Sequence, residues 1–276
     1  MEQSTLRATT NGRSGMSVKP FLEQAYGMLL WARVGLGRRL RRTPPPPLRA
    51  APPENAVLQT HAESTAAWRE MRKLGLPIHR DRPKNWDTLA ALGAILRRTD
   101  RSANILDAGS ATYSTILPAL WCYGYTRLTG INLEFAKPVR RGPARFQHGD
   151  ATATTFEQDT FDAITCLSVI EHGVDLSAYF KEAARILRPG GILITSTDYT
   201  CEPIDTGGMT AYGVPVHIFT PTEITAAIQA ARSFGLEPTG DLDLGCAERP
   251  VSWKRLGRPL GLHYTFVVFT LQKASP

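Results

Sequence analysis

The chain has 276 residues, is 42% hydrophobic and 21% charged, and carries a net charge of +7. That length and apolar content suit one full domain with extensions and a buried core. Nine Lys/Arg against two Glu lie within residues 1–50, and the other residues carry 23 of each sign, so the domain itself offers no broad nucleic-acid-binding face.

Residues 1–55 read as a basic N-terminal extension. Residues 1–19 are polar and rich in Gly, Ser and Thr, a composition expected to be disordered. Pro20–Leu40 reads as a weak helix, with Leu22, Tyr26, Leu29, Leu36 and Leu40 near one face and Gly27, Gly35 and Gly37 weakening it. Arg33 and Glu23 interrupt the run, which is too short for a bilayer span and has the wrong charge order for a secretory signal. The Arg38-Arg39-Leu40-Arg41-Arg42 cluster is expected either to be a solvated tail or to make weak contact with an anionic membrane. Pro44–Pro47 make a stiff spacer.

Residues 56–100 read as a helical flap ahead of the first strand. One helix is expected over Ala56–Leu74, ended by Gly75 and Pro77, and a second is expected to start at a cap on Asn85 or Asp87. From Asn104 strands and helices alternate, which implies a mostly parallel sheet with helices on both faces. Strands are expected at Asn104–Asp107, Arg127–Asn132, Ala144–His148, Phe161–Leu167, Gly191–Thr197, Thr239–Cys246 and Tyr264–Lys273, the last antiparallel. Helices are expected at Tyr113–Tyr123, Leu176–Leu187 and Pro221–Phe234, with a short one between Asn132 and Ala144. Leu187-Arg-Pro-Gly-Gly191 reads as a helix stop and turn.

The four cysteines, Cys122, Cys166, Cys201 and Cys246, are scattered and form no Cys-x-x-Cys pair. Neither a disulfide framework nor a zinc site is expected, and a reducing cytoplasm is the default. His61, His79, His148 and His263 show no ligand spacing, so no metal site is inferred.

Four strand ends carry the chemistry. They are Asp107-Ala-Gly109-Ser110, Gly130-Ile-Asn132, His148-Gly-Asp150-Ala151, and Leu167-Ser168-Val-Ile-Glu-His172, followed by Leu187-Arg-Pro-Gly-Gly191. In this order they resemble the class I S-adenosylmethionine-dependent methyltransferases, and within them the small-molecule type 11 group. The resemblance covers residues 103–197 strongly. It implies a doubly wound, Rossmann-like α/β fold with a seven-stranded, mostly parallel sheet, formed by residues 101–276. It also implies S-adenosyl-L-methionine as cofactor. Asp107, Gly109 and Ser110 are then expected against its methionine end, Asn132 at the ribose, Asp150 and Ala151 at the adenine, and Leu167 and Ser168 near the sulfonium. The turn departs from the family at Ala111 and Tyr113, where glycines are usual. Asn132 replaces an acidic residue and lacks the charge that strengthens a hydroxyl hydrogen bond.

Methyl transfer to a hydroxyl benefits from a base beside the acceptor. His172 is the first candidate, Asp198 the second and His217 the third. Each has a plainer reading: Glu171 and His172 as braces of the next helix, Asp198 as a turn cap, His217 as a packed residue. Thr200–Thr220, with Asp205, Tyr212 and His217, reads as a substrate wall. Trp86 fits helix packing better than a lid over the cofactor. The function expected is methylation of a small molecule, on oxygen, by a cytoplasmic and at most membrane-peripheral enzyme with no nucleic-acid partner. The alternatives are a degenerate cofactor-binding scaffold and a peripheral membrane protein recruited by its tail.

Overall fold

The computed structural model describes residues 18–40, 44–211, 213–255 and 258–275, without the side chains at 18–22 and 253–260. The expected disordered tail up to residue 17, Arg41 and Arg42 of the basic cluster, and Tyr212 lie outside the described residues.

In chain order the elements are α1 (Val18–Leu40), β1 (Ala56–Val57), α2 (His61–Lys73), α3 (Lys84–Arg98), β2 (Asn104–Ala108), α4 (Ile116–Cys122), β3 (Arg127–Asn132), β4 (Val139–Arg141), β5 (Ala144–His148) and β6 (Phe161–Leu167). A 3₁₀ turn at Ile170–His172 leads to α5 (Leu176–Ile186), β7 (Leu187–Tyr199), the hairpin β8 (Thr210–Ala211) and β9 (Val214–Pro215), α6 (Pro221–Arg232), β10 (Leu236–Pro238), β11 (Val251–Arg255) and β12 (Arg258–Lys273).

The sheet core runs β5-β3-β2-β6-β7-β12-β10. The first five of these strands pair in parallel, and β12 enters antiparallel between β7 and β10. This is the expected seven-stranded doubly wound sheet. The short strands β1, β4 and β11 extend its edges. Two apolar cores sandwich it. One gathers Trp31, Met71, Leu89, Leu92 and Leu117 from α1–α4, the other Tyr179, Phe180, Ala183 and Ile224 from α5 and α6. The central strands are buried on both faces, which is why they read as apolar runs instead of alternating ones.

Several elements differ from expectation. No helix forms between Asn132 and Ala144. Pro138 and Pro143 exclude it, and Val139–Arg141 folds back antiparallel on β5 through Gly142, at φ 54°. The sixth core strand is Leu236–Pro238, just ahead of Thr239–Cys246, because it is the segment that pairs with the end of β12. The Leu187–Gly191 segment is already part of β7. It is an irregularity in the β6–β7 ladder, with Gly190 at φ 76° and Arg188 Nη1 donating to both carboxylate oxygens of Asp162, at 2.7 and 2.8 Å.

At the N-terminal side, α2 starts only at His61, capped by the Thr60 side chain, because Ala56 and Val57 pair with β12. Asn85 and Asp87 lie inside the first turn of α3 and are buried. The buried face of α1 is Gly27, Leu30, Trp31 and Val34, while Leu29, Leu36 and Leu40 are exposed, the reverse of the expected face. The indole of Trp31 decides this, because its ring packs on Trp121 and Phe146. Burial of such a ring is worth about 1.5–3 kcal/mol, enough to set the rotation of a weak helix.

Cys201 and Cys246 are disulfide-bonded, contrary to the expectation of none; Cys122 and Cys166 are free and buried. The two bonded residues are 45 apart in sequence, and only the return of the chain from α6 over the end of β7 brings them together.

Candidate functional site

Parallel pairing brings the C-terminal ends of β2, β3 and β6 into register, with Asp107 opposite Gly130 on one side and Thr165 on the other. This is the edge where ligands dock in open α/β sheets. Asp107 is buried, and Thr165 Oγ1 donates to its Oδ1 at 2.7 Å. Burial pushes its pKa up to about 6, against hydrogen bonds from Ser110 and Thr165.

The turn after β2 is tightly specified. Gly109 sits at φ 77°, and a Cβ there would lie 2.3 Å from Val169 Cγ2, so only glycine fits. Ser110 N donates to Ile131 O at 2.9 Å, and Ala111 N to Ser114 Oγ at 2.9 Å. Asn132 Nδ2 donates to Gly109 O at 3.2 Å, while its Oδ1 accepts from Glu134 N. The expected ribose residue is therefore also a brace of the turn. From outside, α1 lies on the same turn. Trp31 Nε1 donates to Thr112 O at 3.0 Å, and a Cβ on Gly27 would meet Thr112 Oγ1 at 2.7 Å. Tyr113 is half-buried.

At the end of β5, Asp150 Oδ1 accepts from Thr152 N and Oγ1 at 2.8 and 2.7 Å, which shapes the turn holding Ala151. After β6, Leu167 and Ser168 line a cavity of about 70 Å³ with Asp107, Gly109, Lys84 and Asp87. Ser168 has a left-handed backbone at φ 55°, and its Oγ is buried with no hydrogen-bond partner among the described residues. An orphaned buried hydroxyl beside a carboxylate suits a polar ligand.

Two of the lining residues, Lys84 and Asp87, belong to a buried charged group that spacing did not reveal. Glu171 is buried, Thr197 Oγ1 donates to its carboxylate at 3.0 Å, and burial raises its pKa to about 7. Asp198, at the end of β7, is held well above the carboxylate range by burial and by Glu171, and hydrogen-bonds Tyr264. Asp87 accepts from Ser196 Oγ at 2.8 Å and from Thr88 N, and burial raises it to about 6. Lys84 is the cation among them. Burial works to lower its pKa, but Asp198, Glu171 and Asp87 together raise it. One lysine among several buried carboxylates leaves protons shared between them.

Of the three candidate bases, His172 lies on the 3₁₀ turn next to Glu171, and burial and Lys84 lower its pKa, so it is neutral near pH 7. Asp198 belongs to the buried cluster. His217 does not reach the site. Its Nε2 lies 3.1 Å from Glu223 Oε1 at the start of α6, its ring is edge-on to Phe219, and its side chain is about half exposed. Trp86 is buried in the core, as the packing reading expected. The sequence reading missed Glu171, Lys84 and Asp87 as site residues. For Lys84 and Asp87 the signal was the Lys84-Asn-Trp-Asp87 run, since a lysine and an aspartate at i, i+3 share one helix face.

The family model described as a methyltransferase domain, of type 11, matches residues 106–195, the stretch that holds the braced turn and the end of β6. Residues 106–195 are a class I methyltransferase domain of the type 11 group. The chain is 46% identical over 91 residues to a demethylmenaquinone methyltransferase of Mycolicibacterium paratuberculosis, covering 32% of this chain and 38% of that one. It is 47% identical over 38 residues to a ubiquinone biosynthesis O-methyltransferase of Xanthomonas oryzae pv. oryzae, covering 14% of this chain and 16% of that one. The chain thus spans well under half the length of these curated relatives. The solved structure of a geranyl diphosphate methyltransferase in complex with SAM superposes with a TM-score of 0.50 at 16% identity, over 82% of this chain and 100% of that one, and supports the fold.

The residues at this edge fit S-adenosylmethionine in their chemistry. Its ammonium and hydroxyls need acceptors and its methionine end needs a turn without side chains. Asp107, the orphaned Ser168 hydroxyl and Gly109 supply these. The cavity's 70 Å³ suits only part of such a ligand, and Val169 packs against Gly109, one of its lining residues.

Proposed function

We propose that the protein transfers a methyl group from S-adenosylmethionine to a hydroxyl of a small-molecule acceptor. The observation that carries this reading is Glu171, buried in the field of Lys84 and Asp87, which line the Asp107–Ser168 cavity, with a pKa raised to about 7. A carboxylate tuned to that value is half-ionised near neutrality and accepts a hydroxyl proton as the acceptor is alkylated.

The bound cofactor supplies a methyl group already activated on a sulfonium. The chain's residues then align the acceptor, exclude water and take the proton. Asp107, with Thr165 and Ser110, orients the methionine end. The turn braced by Asn132 keeps backbone close to it. Lys84 balances the charge that Glu171 gains on losing its proton. Asp198, its pKa held well above the carboxylate range by burial and by Glu171, is tied to Tyr264 by a hydrogen bond. His172, kept neutral by burial and by Lys84, adds no further charge next to Glu171.

The relatives' names concern quinones, so a ring hydroxyl of a reduced quinone or catechol is the first acceptor class to try. Calorimetry with S-adenosylhomocysteine, followed by transfer of a labelled methyl group to menadiol and to catechol, tests the reading. Binding with transfer to oxygen supports it. Absence of binding at millimolar ligand overturns it in favour of a scaffold, and transfer to ring carbon overturns the choice of oxygen.

A further inference from the structure

A second, larger cavity lies away from the methyl-transfer edge. It is a groove of about 690 Å³ between α1, the proline spacer at Pro44 and Pro45, the Gly75–Ile78 turn after α2, and the end of α4. Its floor is apolar, with Leu30, Val34, Leu76 and Ile78. Tyr26 closes one end, its hydroxyl donating to Ile78 O at 3.3 Å beneath the guanidinium of Arg80. The volume falls in the range of sites that hold a sizeable organic ligand.

The rim of this groove is cationic. Arg33, Arg38, Arg72 and Arg101 line it, and among the described residues no carboxylate does. Elsewhere Arg97, Arg98, Arg185, Arg188, Arg232 and Arg249 each pair with a carboxylate. The four at the groove pair with none among the described residues; Arg38 and Arg72 instead lie over Trp121 and Trp68. Guanidinium groups converging on an apolar trough match a ligand with an anionic head and a hydrocarbon tail.

The outer side of α1 says where such a ligand comes from. Met28, Leu29, Leu36 and Leu40 are 52–73% exposed, and Arg33 and Arg39 stand among them. No helix among the described residues is long and apolar enough to cross a membrane. A helix with leucines outward and arginines between them suits the plane of an anionic lipid surface.

We propose that α1 lies on an anionic bilayer and that the groove beneath it takes up one anionic lipid, its head held by Arg33, Arg38, Arg72 and Arg101 and its chain against Leu30, Val34, Leu76 and Ile78. This stands apart from the methyl-transfer reading, because none of these residues lines the cofactor edge.

Gly37 gives a clean way to fill the groove. It lines the groove on α1, and a Cβ there meets nothing within 4 Å. The full chain, Gly37→Phe and the double variant Arg72→Glu/Arg101→Glu are co-sedimented with phosphatidylcholine vesicles, with and without phosphatidylglycerol. Melting curves confirm folding, and S-adenosylhomocysteine binding is measured in parallel. Wild-type protein is expected to pellet only with phosphatidylglycerol, and each variant to bind at least tenfold more weakly with its cofactor binding unchanged. Equal pelleting of the variants and wild type overturns the proposal and leaves binding to the basic tail alone. Pelleting with neither vesicle also overturns it. Saturable binding of soluble dihexanoyl phosphatidic acid without vesicle binding overturns the bilayer as the source.

Discussion

Asn132 Nδ2 donates to the carbonyl of Gly109 at 3.2 Å, tying the end of β3 to the turn after β2. A carboxylate at this position has no proton to donate and would set its charge against the carbonyl dipole. The amide that looked like a weakened ribose ligand is thus matched to the turn. Asn132→Asp is expected to lower stability by about 1 kcal/mol, the usual worth of one such bond, and to weaken S-adenosylhomocysteine binding. A chemical denaturation curve and calorimetry check both; tighter binding in the variant would show that the ribose contact outweighs the brace.

Gly109 and Val169 are coupled in the same way. Gly109→Ala places a Cβ 2.3 Å from Val169 Cγ2 on a left-handed backbone. The expected cost is about 1–2 kcal/mol for the backbone alone, with the clash in addition. Gly109→Ala/Val169→Ala should recover the clash but not the backbone cost, so a double-mutant cycle gives a positive coupling. Strict additivity would mean that Val169 moves freely.

The buried carboxylates set a pH dependence of stability. Asp87 and Asp107 are raised from 3.8 to about 6 and Glu171 from 4.5 to about 7. Between those values the folded protein binds more protons than the unfolded chain, so stability falls as pH rises. The melting temperature should therefore decline from pH 4.5 to pH 7.5. Glu171→Gln should flatten the upper part of that decline, from about pH 6 upward.

Glu171→Gln also tests the proton transfer. Loss of the base should lower kcat by about 10²-fold or more while S-adenosylhomocysteine binding persists. In the wild type, kcat/KM should climb as pH passes through about 7. His217→Ala, outside the site, should leave both unchanged.

The Cys201–Cys246 bond predicts that the denatured, unreduced protein exposes two thiols, Cys122 and Cys166, and four after reduction. Thiol titration reads this directly. Removing the bond by Cys201→Ser/Cys246→Ser should cost about 2–4 kcal/mol for a loop of this length.

Local pattern alone determined much of this protein. The strands at Arg127–Asn132, Ala144–His148 and Phe161–Leu167 have the bounds that their apolar runs and flanking turns indicate. The strand-end motifs placed Asp107, Gly109 and Ser168 at one edge, since parallel strands joined by helices put all their C-terminal ends together. Contacts distant in sequence were decided only by the tertiary structure. The rotation of α1 depends on where Trp31 finds Trp121 and Phe146. The disulfide depends on the return path after α6. The cluster of Lys84, Asp87, Glu171 and Asp198 draws on three separate elements, and burial, which no spacing reports, raises its carboxylates. Periodicity encodes which face of an element is apolar, whereas the partner of that face, and the dielectric around a charge, exist only once the layers have packed.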